Sequence, residues 1–121
     1  MPGNSWTVSL SLWGSGSPRR EFLYSDDLAD AIVFLMNNYN AIDIGEFINI
    51  GTGKDQTIQE LAKIIRDIVG FKGKIEWDIS KPDGTPQKLL DISRISELGW
   101  QAKIRLEKGI KRTYKWHVEN L

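Results

Sequence analysis

Thr57-Ile-Gln-Glu-Leu-Ala-Lys-Ile-Ile-Arg-Asp-Ile-Val-Gly70, followed shortly by Lys74-Ile-Glu-Trp-Asp78, is the stretch that decides the fold class. Thr57 with Glu60 three residues on forms a capping box, in which the hydroxyl and the carboxylate each accept the other's backbone amide. Ile58, Leu61, Ala62, Ile64, Ile65, Ile68 and Val69 then recur at helical spacing, which predicts a helix with a broad buried face. Gly70 is placed to close it in the left-handed conformation. Lys74 to Asp78 alternates polar with apolar residues and reads as a strand. A helix handing over to a strand across a short turn is the unit of an α/β or mixed α+β layer.

Outward from that unit, the N-terminal side repeats the theme. Residues 1–5 read as a frayed start. Trp6 to Trp13 alternates, with Trp6, Val8, Leu10 and Leu12 on one face and Thr7, Ser9, Ser11 and Trp13 on the other, and predicts a strand. Gly14-Ser-Gly-Ser-Pro18 breaks it into a loop, and Arg19 to Tyr24 resumes as extended chain. A helix is expected from Asp26-Asp27, whose carboxylates would cap the first turn, to about Asn38. Its apolar stripe is Leu28, Ala31, Ile32, Leu35 and Met36. Residues 40–45 read as loop and Phe47 to Ile50 as a short strand, ended by Gly51-Thr-Gly53. On the C-terminal side Pro82-Asp-Gly-Thr-Pro86 excludes regular structure, Ser93 to Leu98 reads as a short helix stopped by Gly99, and Leu106 to Val118 as a final helix. Leu106, Ile110, Thr113, Tyr114, Trp116 and His117 are its candidate packing face.

Composition narrows the function classes. The chain has 121 residues with 16 basic and 16 acidic groups, one histidine and no cysteine. That length suits one domain and is short for an oxidoreductase with separate cofactor and substrate halves. The missing cysteine excludes a disulfide scaffold, a thiolate metal site and a cysteine nucleophile, and fits a cytoplasmic location. No apolar run approaches a membrane span and no signal peptide is legible. Basic residues concentrate after residue 60, but interleaved with acidic and apolar ones, which describes solvated helix faces rather than a nucleic-acid surface.

The glycine pairs invite a cofactor reading and fail it. Gly14-x-Gly16 has Arg19, and Gly51-x-Gly53 has Gln56, where a dinucleotide fingerprint requires its third glycine. A tyrosine with lysine one helical turn on would suit hydride chemistry, but Tyr24, Tyr39 and Tyr114 are followed at that spacing by Leu28, Asp43 and Val118. His117 is a lone imidazole on an amphipathic helix, so no metal site is specified. Two loops remain. One carries Trp13, Arg19 and Arg20, the other Lys81, Asp83, Thr85 and Lys88. An arginine fork, mobile lysines, a carboxylate for ribose hydroxyls and a flat indole would together make a nucleotide-diphosphate pocket if the fold joins the loops.

Trp13-Gly-Ser-Gly-Ser-Pro-Arg-Arg20-Glu-Phe-Leu-Tyr-Ser-Asp-Asp27, Ile48-Asn-Ile-Gly-Thr-Gly53, Ser80-Lys-Pro-Asp-Gly-Thr-Pro-Gln-Lys-Leu-Leu-Asp91 and Leu98-Gly-Trp100 resemble, in register, the C-terminal third of the GDP-L-fucose synthases, from about Leu12 to Leu121. These are extended short-chain dehydrogenase/reductases that epimerise C3 and C5 of GDP-4-keto-6-deoxy-D-mannose and reduce C4 with NADPH. The resemblance implies a GDP-sugar substrate-binding domain over residues 12–121, without the Rossmann cofactor domain, preceded by an atypical segment 1–11. It implies Trp13, Arg20, Asp83 and Lys88 as substrate contacts, with Arg20 on the diphosphate and Asp83 towards the sugar. Gln87 stands where relatives often carry arginine, which would thin the positive field.

The family's glycine-rich NADP fold, its serine and Tyr-x-x-x-Lys reductase residues and its cysteine–histidine epimerisation pair precede the matching region. No catalytic, cofactor or metal residue is therefore assigned here, and NADP(H) is expected only in the full family enzyme. The expected partners are a GDP-sugar and either a second copy of this chain or an N-terminal cofactor domain, with neither nucleic acid nor membrane. The alternative is a non-catalytic interaction or structural protein that keeps the fold.

Overall fold

A computed structural model describes residues 8–121, which run β1 (Ser9–Trp13), β2 (Arg19–Glu21), α1 (Ser25–Asn38), α2 (Ala41–Ile44), β3 (Asp55–Thr57), α3 (Ile58–Val69), β4 (Lys74–Asp78), β5 (Gln87–Lys88), α4 (Ser93–Glu97) and α5 (Leu106–Glu119). Two small sheets result: β1 with β4, parallel, and a three-stranded sheet in the order β3-β2-β5. In the second, β3 is antiparallel and β5 parallel to the central β2. The mixed α/β class is as the sequence predicts.

Helix α3 starts and stops as its signals require. Thr57 Oγ1 accepts from Glu60 N at 3.0 Å, Glu60 Oε1 accepts from Thr57 N at 3.3 Å, and Gly70 closes the helix at φ +75°. Its broad apolar face, however, is only half covered: no α3 residue is fully buried, and Ile65 is 40% exposed. An open apolar groove of about 400 Å³ runs between α3 and α5, with Ile65 and Val69 on one wall and Ile110 and Tyr114 on the other.

The core lies instead under α1 and α4, where Ala31, Leu35, Ile95 and Trp100 are buried and Leu23, Phe34, Tyr39, Ile48 and Ile92 pack around them. Trp100 donates its indole N–H to Asp30 at 2.9 Å, so the ring's polar atom is satisfied while its body fills the core. Asp27 is not the cap that the sequence suggests. It is buried, and its carboxylate accepts from the amides of Lys103 (3.2 Å) and Ile104 (2.9 Å), pinning the chain before α5 to α1. The buried carboxylate is stabilised by distant donors, and α1 has Tyr24 at its N-cap with no side-chain cap. Of the α1 stripe only Ala31 and Leu35 are buried; Leu28, Ile32 and Met36 face solvent.

Other expectations need correction. Phe47 to Ile50 is not a strand. Ile48 and Ile50 are half-buried against the core, and the backbone of Phe47 is held by the Arg94 guanidinium at 2.8 Å rather than by a neighbouring strand. Residues 41–44 form a helical turn rather than a loop, with Asn40 N donating to Asp43 Oδ2 at 2.8 Å. Strand β3 is too short to leave a periodic signal and exists because β2 lies beside it. In β1, Leu12 is the half-buried position and Leu10 is 47% exposed, while Trp6 and Thr7 of the predicted strand lie outside the described residues. Helix α5 buries Gly109, where an added Cβ would come within 3.0 Å of the Tyr24 ring, but of its predicted packing face only Leu106 and Ile110 are half-buried, while Thr113, Tyr114, Trp116 and His117 are exposed.

Candidate functional site

The two polar loops meet. Asp83 accepts from Ser15 N at 2.8 Å and Ser15 Oγ at 2.6 Å, so one carboxylate clamps residues 14–18 to residues 79–86. Glycine is required at position 14: φ is +90°, and a side chain there would collide with the Asp83 carboxylate. Both Ser15 contacts, the hydroxyl first and the amide second, hold the Asp83 carboxyl below its ordinary value of 3.8. The Lys81 ammonium sits 5.1 Å from the centre of the Trp13 ring, a second tie between the loops and one that leaves the indole 74% exposed.

Arg19 and Arg20 are alike in sequence and different in place. Their side chains leave opposite faces of β2. Arg19 donates from Nε to Asp55 Oδ1 at 2.9 Å, and Gln87 Nε2 reaches the other Asp55 oxygen at 2.6 Å. Those contacts, Gln87 foremost, keep the Asp55 carboxyl below 3.8. Gln87 thus stitches β5 to β3 across β2. Arg20 instead turns to the loop pair. Its Nη1 donates to Thr85 O and Arg19 O, both at 2.7 Å. Those bonds fix the guanidinium plane from one corner and leave the Nε–Nη2 edge with no hydrogen-bond partner among the described residues. That edge is the geometry that grips two oxygens of a diphosphate. Lys88 stands in register with Arg20 on the adjacent strand and is exposed, so both cations leave the same face of the sheet.

Neither glycine pair is a phosphate cradle. Gly14 N is taken by Asp78 O at 2.9 Å. The Gly51-Thr52-Gly53 turn is filled from within: Glu21 Oε2 accepts from Gly53 N at 2.6 Å, Thr52 N at 2.8 Å and Thr52 Oγ1 at 3.3 Å. A Cβ at Gly51 would lie 2.6 Å from the same oxygen. The described residues therefore do not fit a bound dinucleotide at either turn. They include no group of three or more metal-ligating side chains, and no helix among them is long and apolar enough to cross a membrane. Glu21 was invisible to motif reading. Its one signal is a carboxylate placed directly after two arginines, where a purely electropositive loop would omit it.

Two short sheets flanked by helices thus carry a polar loop pair over β2 and β5. Residues 3–51 match the NAD dependent epimerase/dehydratase family. The chain is 51% identical to GDP-L-fucose synthase 1 of Arabidopsis thaliana over 91% of its own length and 33% of that relative's. It superposes with a TM-score of 0.87 on a GDP-6-OMe-4-keto-L-xylo-heptose reductase from C. jejuni, 42% identical, covering 93% of this chain and 34% of that one. A GDP-mannoheptose C4 reductase from Campylobacter jejuni with NADP bound gives 0.80 at 43% identity, covering 91% and 35%. The chain is similar to GDP-L-fucose synthases and spans about a third of the length of the relatives it matches.

Proposed function

We propose that residues 12–121 form the GDP-sugar-binding domain of a GDP-L-fucose synthase, acting in the cytoplasm on GDP-4-keto-6-deoxy-D-mannose. The observation that carries this reading is the Arg20 guanidinium, anchored by Thr85 and Arg19 carbonyls with its second edge open, in register with Lys88. Arg20 grips the diphosphate, Lys88 adds a mobile charge, and Trp13 supplies a flat wall held at its far side by Lys81. Asp83 acts at the sugar end while its hydrogen bonds to Ser15 keep the loops closed; a carboxylate oxygen has a second lone pair for a hydroxyl. NADP(H) and the residues that move hydride and protons are supplied by another segment or chain, and no step through them is drawn from these residues.

Calorimetry with GDP and with inorganic pyrophosphate tests the reading. GDP binds weakly, because the loops enclose only part of it. Folded protein that shows no binding at millimolar GDP would favour the interaction-protein alternative. The pure chain has no NADPH-dependent activity on the 4-keto sugar nucleotide; turnover above a no-enzyme control, in a preparation free of full-length synthase, would overturn that.

A further inference from the structure

We propose that Glu21 is a positioning residue for Arg20: by filling the Gly51–Gly53 turn with its own carboxylate, it locks the strand that presents the guanidinium to the ligand. The inference rests on the diphosphate reading of Arg20 and deepens it.

Strand β2 is three residues long and central, paired with three residues of β3 and two of β5. So short a ladder does not by itself fix the direction of a long side chain. The Nη1 bonds of Arg20 hold its guanidinium, and the strand that it leaves is held by the residues flanking it. Both point to the face opposite it, Arg19 onto Asp55 and Glu21 into the Gly51–Gly53 turn. Glu21 reaches further than a local contact. While Oε2 takes the amides of Thr52 and Gly53, Oε1 takes Leu90 N at 3.3 Å, two residues past the end of β5. One carboxylate therefore continues the pairing where the β2–β5 ladder stops, and ties Lys88's strand to Arg20's.

The turn is shaped for an anion. Gly51 is buried with no room for a Cβ, and Gly53 sits at φ +73°. Converging amides of this kind attract negative charge, and here the charge is internal. A bound phosphate is excluded from the turn, and the arginine on the opposite face becomes the anion receptor. An amide at position 21 keeps the shape of glutamate but has one acceptor atom: with that oxygen on the Thr52 and Gly53 donors, its NH2 faces Leu90 N, so the tie to the strand of Lys88 is lost.

The test is Glu21→Gln in the whole 121-residue chain, read by amide hydrogen exchange, by the heteronuclear NOE of the Arg20 Nε–H, and by GDP titration. Protection of the Leu90 amide falls at least tenfold, that of Thr52 and Gly53 falls less, the Arg20 Nε–H becomes mobile, and Kd for GDP rises about tenfold. Arg20→Ala raises Kd without changing protection at the three amides. Unchanged protection in Glu21→Gln, or lost protection with an undisturbed Arg20 Nε–H, overturns the proposal. If wild type binds no GDP, the diphosphate reading fails on its own, and the Arg20 Nε–H signal still decides whether Glu21 positions it. Should Glu21→Gln not fold, Thr52→Val removes one of the donors to Glu21 and is read the same way, with smaller changes of the same sign.

Discussion

Around β2, polar side chains carry the structure: Arg19 with Asp55, Gln87 with Asp55, Ser15 with Asp83 and Glu21 with three backbone amides all bridge segments distant in sequence. Across α1 and α5 the opposite holds. Met36 is 77% exposed, Val33 55%, Trp116 65% and Val118 49%. The chain exposes 8949 Å², against roughly 6,600 Å² expected for a compact monomer of its mass. The contrast teaches that the loop pair satisfies its polar groups from within, whereas the helical faces leave large apolar side chains in water. We propose that a cofactor domain covers them, and that a second copy does so when the chain is alone.

The largest test of this contrast lies in the small core that both regions share. Ile95 is fully buried, and Ile95→Ala should lower stability by about 2–5 kcal/mol in urea unfolding. GDP binding should be lost in step with the helical signal. Binding that outlasted the helices would show that the polar region stands without the core, and would sharpen the division further.

Arg20→Ala comes next. Losing the open edge of one charge-assisted fork should weaken GDP and pyrophosphate together by about 1.5–3 kcal/mol, roughly 10- to 150-fold. Asp83→Ala should weaken GDP and spare pyrophosphate. Equal pyrophosphate losses in the two variants would move Asp83 to the phosphate end, or reduce it to a loop clamp alone.

On the helical side, Met36→Glu should change unfolding free energy by no more than about 0.5 kcal/mol, because the side chain is already in water. It should nevertheless suppress concentration-dependent self-association in sedimentation. A wild type that sediments as a monomer at every concentration would break the comparison, since the exposed face would then need no cover.

The smallest effect is the acid response. The Asp83 carboxyl titrates lower in the folded chain than its ordinary 3.8. Its contribution is therefore complete above 3.8 and is lost as pH falls through the folded value. Asp55 and Asp91 are lowered likewise, and Glu60 from 4.5, so every resolved carboxylate shift lies off the helical faces of α1 and α5. Thermal unfolding followed from pH 5 to pH 3 should show a shallower decline in Asp83→Asn than in wild type. An unchanged slope would mean that the Ser15 contacts are not made in solution.

The sequence by itself determined what local chemistry dictates. The Thr57–Glu60 box, the Gly70 stop, the β4 alternation and the Ser93–Gly99 helix each depend on neighbours within a few residues. The sequence also marked two polar loops, one with Trp13, Arg19 and Arg20 and the other with Lys81, Asp83, Thr85 and Lys88, without showing that they meet. Tertiary structure decided the rest. Asp26 and Asp27 look equivalent as caps, yet Asp27 is buried on Lys103 and Ile104, 76 residues or more away. Arg19 and Arg20 look equivalent as ligands, yet β3 claims the first for Asp55. Helical periodicity marks α1 as two-faced but is silent on which face finds a neighbour, so Ala31 is buried while Met36 is not. Local rules choose conformation from adjacent atoms, whereas the partner of a charge or an apolar face is chosen by whichever distant segment the fold brings alongside.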